Sequence, residues 1–229
     1  MSSTELTAGK SADGEDVNDW ILVTGFGPFP GVPDNPTQRL VERLVELDMG
    51  SVELVCKILD VSFERSARQL EGFLMSRSDP PKAMIHFGVA DRSKLIRVEK
   101  RAVNCKSADV PDVDGMQFKG VPIDKRHAVH FMRKTSLNIS ILIQELQQRD
   151  VPLRESIDAG RYVCNSTYFY SLQYAASLKP QPVSLFVHIP SIGTSFEQGK
   201  TEAKWTELLL LKSAGQIVRW VVDAQSGFG

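Results

Sequence analysis

The sequence predicts a single-domain α/β fold, an open, twisted, mostly parallel sheet with helices on both faces. Three observations carry the prediction. Short apolar runs alternate with amphipathic segments in the order β-α-β-α-β. The runs are apolar almost throughout, as strands covered on both faces require, and several leave through a glycine. The chain of 229 residues is long enough to bury one core, so the domain is expected to span residues 20–229.

Residues 1–19, "MSSTELTAGKSADGEDVND", are small and polar without periodicity, and are read as a mobile leader. "WILVT" (20–24) is the first strand, and it runs into the glycine turn "GFGPF" (25–29). Asn35 followed by Pro36 reads as a helix cap with proline at the first helical position, and Leu40, Leu44 and Leu47 then recur at helical spacing. "VELVCKILDV" (52–61) is a second strand, Ser62 caps the helix "FERSARQLEGFLM", and "KAMIHFGVA" (82–90) is a third strand. The segment "RVEKRAVN" (97–104) leads into a polar stretch to about residue 125, read as a loop or small hairpin excursion. Beyond it follow a helix at 140–150, a strand at 153–160 with a glycine exit, a helix at 166–178 starting behind Cys164, a buried strand at 183–190 and a closing helix at 201–224.

Composition narrows the function. With 27 basic and 28 acidic side chains the net charge is −1, which offers no electrostatic footprint for nucleic acid or an anionic membrane surface. No run approaches the length of a membrane span, and residues 1–19 lack the apolar core of a secretory signal, so a cytoplasmic location is expected. Cys56, Cys105 and Cys164 are too few and too scattered for a disulfide framework or a CxxC metal site. The expected partner is a small uncharged molecule or another protein, with no metal and no cofactor.

In open α/β sheets ligands gather beyond the carboxyl ends of the strands. Phe26, Phe29, Gly88, Val89, Cys164 and His188 all fall at such ends. A cysteine at a helix start gains from the partial positive charge there, and the N–H groups opening that helix are candidate donors to an oxyanion. The plain alternative is a small buried thiol. His86 and His188 both lie in apolar strands, and spacing does not choose between them as a base; His127 and His130 sit in polar surroundings. Glu99 is either the orienter of an imidazole or an exposed strand residue. The glycine turn lacks the GxGxxG and GxxxxGK[ST] patterns of phosphate loops and carries two aromatic rings instead.

Taken together, four blocks resemble one family, the type I pyroglutamyl peptidases, cytosolic cysteine peptidases that remove an N-terminal pyroglutamate. "VTGFGPFPGVPDNP", "EKRAVN" leading on to "ADVP", "DAGRYVCN" and "FVHIP" stand in the family's order between residues 23 and 190. The resemblance implies Cys164 as nucleophile, His188 as general base and acid, and Glu99 as orienter. It implies Phe26, Phe29, Val61, Val89, Val110, Tyr162 and Val163 around the substrate ring, and leaves His86 without a catalytic role. It departs at Val89, where bacterial members commonly have glutamine, at Asp109, where they have arginine, and at Asp60, where many have proline. The implied partners are peptides with N-terminal pyroglutamate. Homo-oligomers are possible, since the family includes single chains and tetramers. Two rival readings stay open: a nucleoside phosphorylase-like enzyme, and a non-catalytic small-ligand-binding protein.

Overall fold

A computed structural model describes residues 5–7, 19–29, 31–199 and 201–226. Its centre is a seven-stranded sheet. Strands β1 (Glu5–Thr7), β2 (Trp20–Phe26), β3 (Glu53–Leu59), β4 (Ala83–Val89), β5 (Ile96–Glu99), β8 (Leu153–Ser156) and β9 (Val183–Ile189) lie in the order β1-β3-β2-β4-β9-β5-β8. Strands β3, β2, β4 and β9 are parallel, whereas β5 pairs antiparallel with β9 and parallel with β8. The mostly parallel prediction therefore holds for the sheet centre. Within the expected leader, β1 pairs antiparallel with β3, while residues 1–4 and 8–18 lie outside the described residues.

The strands are apolar throughout because both faces are covered. Helices α1 (Pro36–Leu44), α3 (Ile139–Gln147) and α5 (Glu207–Ser226) bury Ile21, Val23, Ile85, Phe87, Leu185 and Val187 in one core. On the opposite face α2 (Arg65–Met75) and α4 (Val163–Ala176) cover Leu22, Met84 and Phe186. Successive side chains alternate between these faces, so Gly88 and His188 share the α4 side with Phe186. Two small hairpins complete the fold, β6 (Arg101–Val103) with β7 (Met132–Lys134), and β10 (Ser195–Gln198) with β11 (Thr201–Lys204). Among the described residues no helix is long and apolar enough to cross a membrane.

Helices α1, α2 and α3 are each shorter than the sequence reading by two or three residues at one end, and three other differences bear on an element's type or on Cys164. Thr201–Lys204 is a strand, since the chain turns back through Gly199 at φ 63°, and α5 begins only at Glu207. Helix α4 starts at Val163, so Cys164 is in its first turn instead of ahead of it. The strand expected at 153–160 stops at Ser156 and runs against β9, so Cys164 reaches the rim through the 157–162 segment, not from a strand's carboxyl end.

The glycine turn is fixed by the helix behind it. Asn35 Oδ1 accepts from Thr37 N–H at 3.1 Å, and its Nδ2 donates to Gly27 C=O at 3.0 Å, so it both caps the helix and braces the loop. Thr37 Oγ1 accepts from Phe26 N–H at 3.0 Å. α1 sits so close to β2 that a Cβ at Gly25 would lie 2.4 Å from Thr37 C=O, while one at Gly27 would meet nothing nearer than 3.8 Å. Gly25→Ala should therefore cost about 2–3 kcal/mol and lower the melting temperature by roughly 4–10 °C, whereas Gly27→Ala should stay within about 0.5 kcal/mol. Thermal unfolding of the two variants beside the parent checks this, and equal losses would contradict it.

Candidate active site

Helix α4 carries Cys164 to the sheet because its first turn is tied to β6. Asn165 Oδ1 accepts from Val103 N–H at 2.9 Å, and its Nδ2 donates to Val103 C=O at 2.8 Å and Cys105 C=O at 3.0 Å. One turn on, Tyr168 Oη donates to Glu99 C=O at 2.8 Å. The N-cap of the helix is Tyr162, without a side-chain bond. The amide of Asn165 offers a donor and an acceptor, which suits it to clasping a strand edge as well as a helix end.

Seated this way, the sulfur lies against Gly88. A Cβ at that glycine would fall 3.0 Å from Cys164 Sγ and 2.9 Å from the Phe186 ring, so the position has room for hydrogen only. Gly88 is the register partner of His188, whose side chain rises from the same face of the next strand. The thiol and the imidazole are thus neighbours, though 24 residues separate them in sequence. His188 Nδ1 meets Glu99 Oε1 at 2.8 Å, both side chains being buried. A buried carboxylate needs compensation. It comes from Arg97, whose Nε and Nη2 donate to the same Oε1 at 3.1 and 2.8 Å and whose Nη2 also reaches Asp158 C=O. Glu99 Oε2 accepts from none of the described residues.

Cys164 keeps partial access to solvent, yet the protein around the sulfur is dense. Burial pushes its thiol up to about 12; its own backbone N–H and Arg97 pull the other way, and Glu99 adds to the rise. Burial thus works against the thiolate, and the helix start alone does not offset it. His86 has no comparable role. It is fully buried, bonded at Nδ1 to Thr24 Oγ1 at 2.8 Å and at Nε2 to Ser171 Oγ at 2.7 Å, and burial lowers it to about 3.

Phe26, Phe29, Val61, Tyr162 and Val163 gather with Cys164 and Phe186 in one apolar cluster beside the sulfur. Phe63, which sequence reading passed over, joins them edge-on to Tyr162 at 5.3 Å and to Phe118 at 5.1 Å. Its signal lay in its place directly after the capping Ser62. Val110 does not join: it is 59% exposed, because its loop turns it to solvent. Val89 follows the alternation of β4 and points its side chain to the α5 face, away from the thiol. Its backbone remains relevant. Ala90 N–H donates to Ile189 C=O, so Val89 N–H and C=O are directed toward β2, whose pairing with β4 ends at Thr24 and His86.

The loop from 105 to 125 is held against this cluster. Buried Asp112 accepts from the N–H groups of Phe63, Asp114 and Met116 at 2.9 to 3.0 Å, and Tyr162 Oη donates to Pro111 C=O at 2.9 Å. Asn104 secures the next segment, with Oδ1 accepting from Asp124 N–H at 2.7 Å and Nδ2 donating to three carbonyls. A hollow of about 800 Å³ between α2 and α4 is bordered by Phe63, Leu70, Leu74 and Tyr174 and does not include the thiol in its lining.

The known proteins to which this chain is similar agree with one another. The family described as pyroglutamyl peptidase matches residues 19–206. The pyrrolidone-carboxylate peptidase of Pyrococcus furiosus is 32% identical over 172 residues, covering 75% of this chain and 81% of that protein. Its counterpart from Brevibacillus brevis is 33% identical over 172 residues, covering 74% and 77%. The crystal structure of pyrrolidone carboxyl peptidase from Fervidobacterium islandicum AW-1 superposes with a TM-score of 0.78 at 30% identity, covering 88% of this chain and 97% of that one. The fold and these matches agree: the chain belongs to the pyroglutamyl peptidase family.

Proposed function

We propose that this chain is a cysteine-type exopeptidase that hydrolyses the amide bond after an N-terminal pyroglutamyl residue, with Cys164, His188 and Glu99 as its catalytic groups. The observation that carries the reading is the sulfur resting on Gly88, beside an imidazole already oriented by Glu99, at the edge of an aromatic cluster. The substrate ring is a compact, neutral lactam. Apolar walls from Phe26, Phe29, Val61, Tyr162 and Val163 suit its faces, and an ammonium entering the same space would lose solvation worth several kcal/mol or more. The backbone N–H and C=O of Val89, directed into the crevice between β2 and β4, match the ring's carbonyl and N–H. Val110 is a rim residue in this scheme.

A thiol pushed up by burial favours general-base activation over a preformed ion pair. His188 takes the proton of Cys164 as sulfur attacks the scissile carbonyl, and the N–H groups opening α4 face the developing oxyanion. The imidazolium then protonates the departing amine. Water, deprotonated by the neutral imidazole, cleaves the thioester and releases pyroglutamate. The Glu99 carboxylate fixes the ring through Nδ1 and stabilises its positive form. The chemistry calls for no cofactor, and three free cysteines suit a reducing cytoplasm. The phosphorylase-like alternative loses its phosphate site, because Asn35 and proline at the first helical position already occupy the start of α1.

Release of a chromogenic amine from a pyroglutamyl amide, with prolyl and glutamyl amides beside it, tests the reading. Cys164→Ala should cut turnover by at least about 10⁴-fold with the circular dichroism unchanged, and Glu99→Gln by about 10²- to 10⁴-fold. Substantial activity in Cys164→Ala, or equal rates on all three amides, would end the assignment. The thiolate fraction of a group pushed up to about 12 climbs throughout the range below that value. Alkylation of Cys164 in the free protein, followed by peptide-resolved mass spectrometry, should accelerate by nearly tenfold per pH unit from about pH 7 to about pH 10. A plateau near neutrality would show a thiolate at rest.

A further inference from the structure

Four register partners form a row across adjacent strands on the α4 face: Gly88 on β4, His188 on β9, Arg97 on β5 and Arg154 on β8. The row begins under the sulfur of Cys164 and ends in two guanidinium groups. Like charges directly opposite on neighbouring strands are unfavourable unless something answers them. Glu99 answers Arg97. Arg154 is exposed and makes one 3.4 Å bond to the Glu155 backbone carbonyl, with no carboxylate partner among the described residues. Arg92, also exposed, has neither a hydrogen bond nor an ion pair among them.

These three arginines share one hollow of about 360 Å³ with Ala90, Asp91 and Ser93. Asp91 is its single acidic group and already accepts from Ser191 Oγ at 2.6 Å; Ser93 Oγ is turned to Leu95 C=O at 2.6 Å. Nearby charges are matched among themselves, Asp158 with Arg161 and Lys100 with Glu155. The hollow therefore keeps an excess of positive charge, in the form suited to gripping a carboxylate from two sides.

We propose that Arg92 and Arg154, with Arg97 behind them, form a subsite for the C-terminal carboxylate of a short leaving peptide. The proposal rests on the pyroglutamyl peptidase reading, which places the scissile carbonyl at Cys164. Adjacent strands are about 4.8 Å apart, so the Arg154 backbone lies roughly 10 Å along the row from that of His188. An extended peptide advances about 3.3 Å per residue, so a leaving group of two or three residues spans the distance. The protein would thus favour short peptides with a free carboxylate over amidated ones.

The test compares kcat/KM for pyroglutamyl-alanyl-alanine with that for its C-terminal amide, using a pyroglutamyl anilide as a substrate that cannot reach the subsite. The free acid should be favoured by about fivefold at low ionic strength, and the preference should fade toward unity near about 1 M salt. In Arg92→Gln, Arg154→Gln and the double variant the acid-to-amide ratio should fall toward one. Arg68→Gln, which removes the same charge from exposed α2, should keep the parent ratio. A ratio of one in the parent, or a full preference surviving in the double variant, would overturn the subsite. Failure to cleave even the anilide would instead overturn the peptidase reading, and the subsite with it.

Discussion

A carboxylate with no access to water organises the centre of this molecule. Glu99 is fully buried, and one of its oxygens receives both the His188 ring and the Arg97 guanidinium. Burying a charge costs several kcal/mol unless partners are held in good geometry, so the elements bearing those partners are fixed relative to one another. β5 must lie beside β9, which it does antiparallel, reversing the direction of the outer sheet. Tyr168 then ties α4 to the same residue through its backbone carbonyl. Positioning the histidine and positioning the cysteine-bearing helix are in this sense a single packing problem.

Its solution depends on missing volume. Gly88 has no side chain because the sulfur and the Phe186 ring occupy that space from the α4 side, just as Gly25 has none because α1 occupies it from the other. The same closeness that seats the sulfur on Gly88 strips water from it and pushes the thiol up. Burial of that kind works against adventitious oxidation and alkylation, since reactivity follows the thiolate.

The glycine turn after β2 shows how a familiar beginning can be diverted. A strand, a glycine-rich turn and a helix start commonly hold a phosphate on free N–H groups. Here Asn35 and Thr37 consume those groups and fold the turn back on the helix, leaving Phe26 and Phe29 to line the crevice between β2 and β4. Because the chain leaves β2 for β3 on one side and then crosses to β4 on the other, this crevice is the switch point of the sheet. An apolar lining at such a point suits the neutral ring of the proposed substrate.

Much of this was readable from residue order. Periodicity gave the central strands and most helices, since burial on one face or two leaves a direct mark on composition, and the blocks around Phe26, Glu99, Cys164 and His188 pointed to one family. Local patterns could not show that Thr201–Lys204 would turn back as a strand, or that the outer strands would reverse direction, because both follow from pairing between distant segments. They could not choose His188 over His86 either: both stand in apolar strands, and the difference is that one meets Glu99 while the other is consumed by Thr24 and Ser171. Nor could they reveal the contacts of Gly88 and Asn165, which are made with atoms 60 or more residues away. Residue order dictates which faces are buried and which chemical groups are present; the folded packing dictates which of those groups come within bonding distance, because that distance is fixed by the joint seating of the sheet and α4.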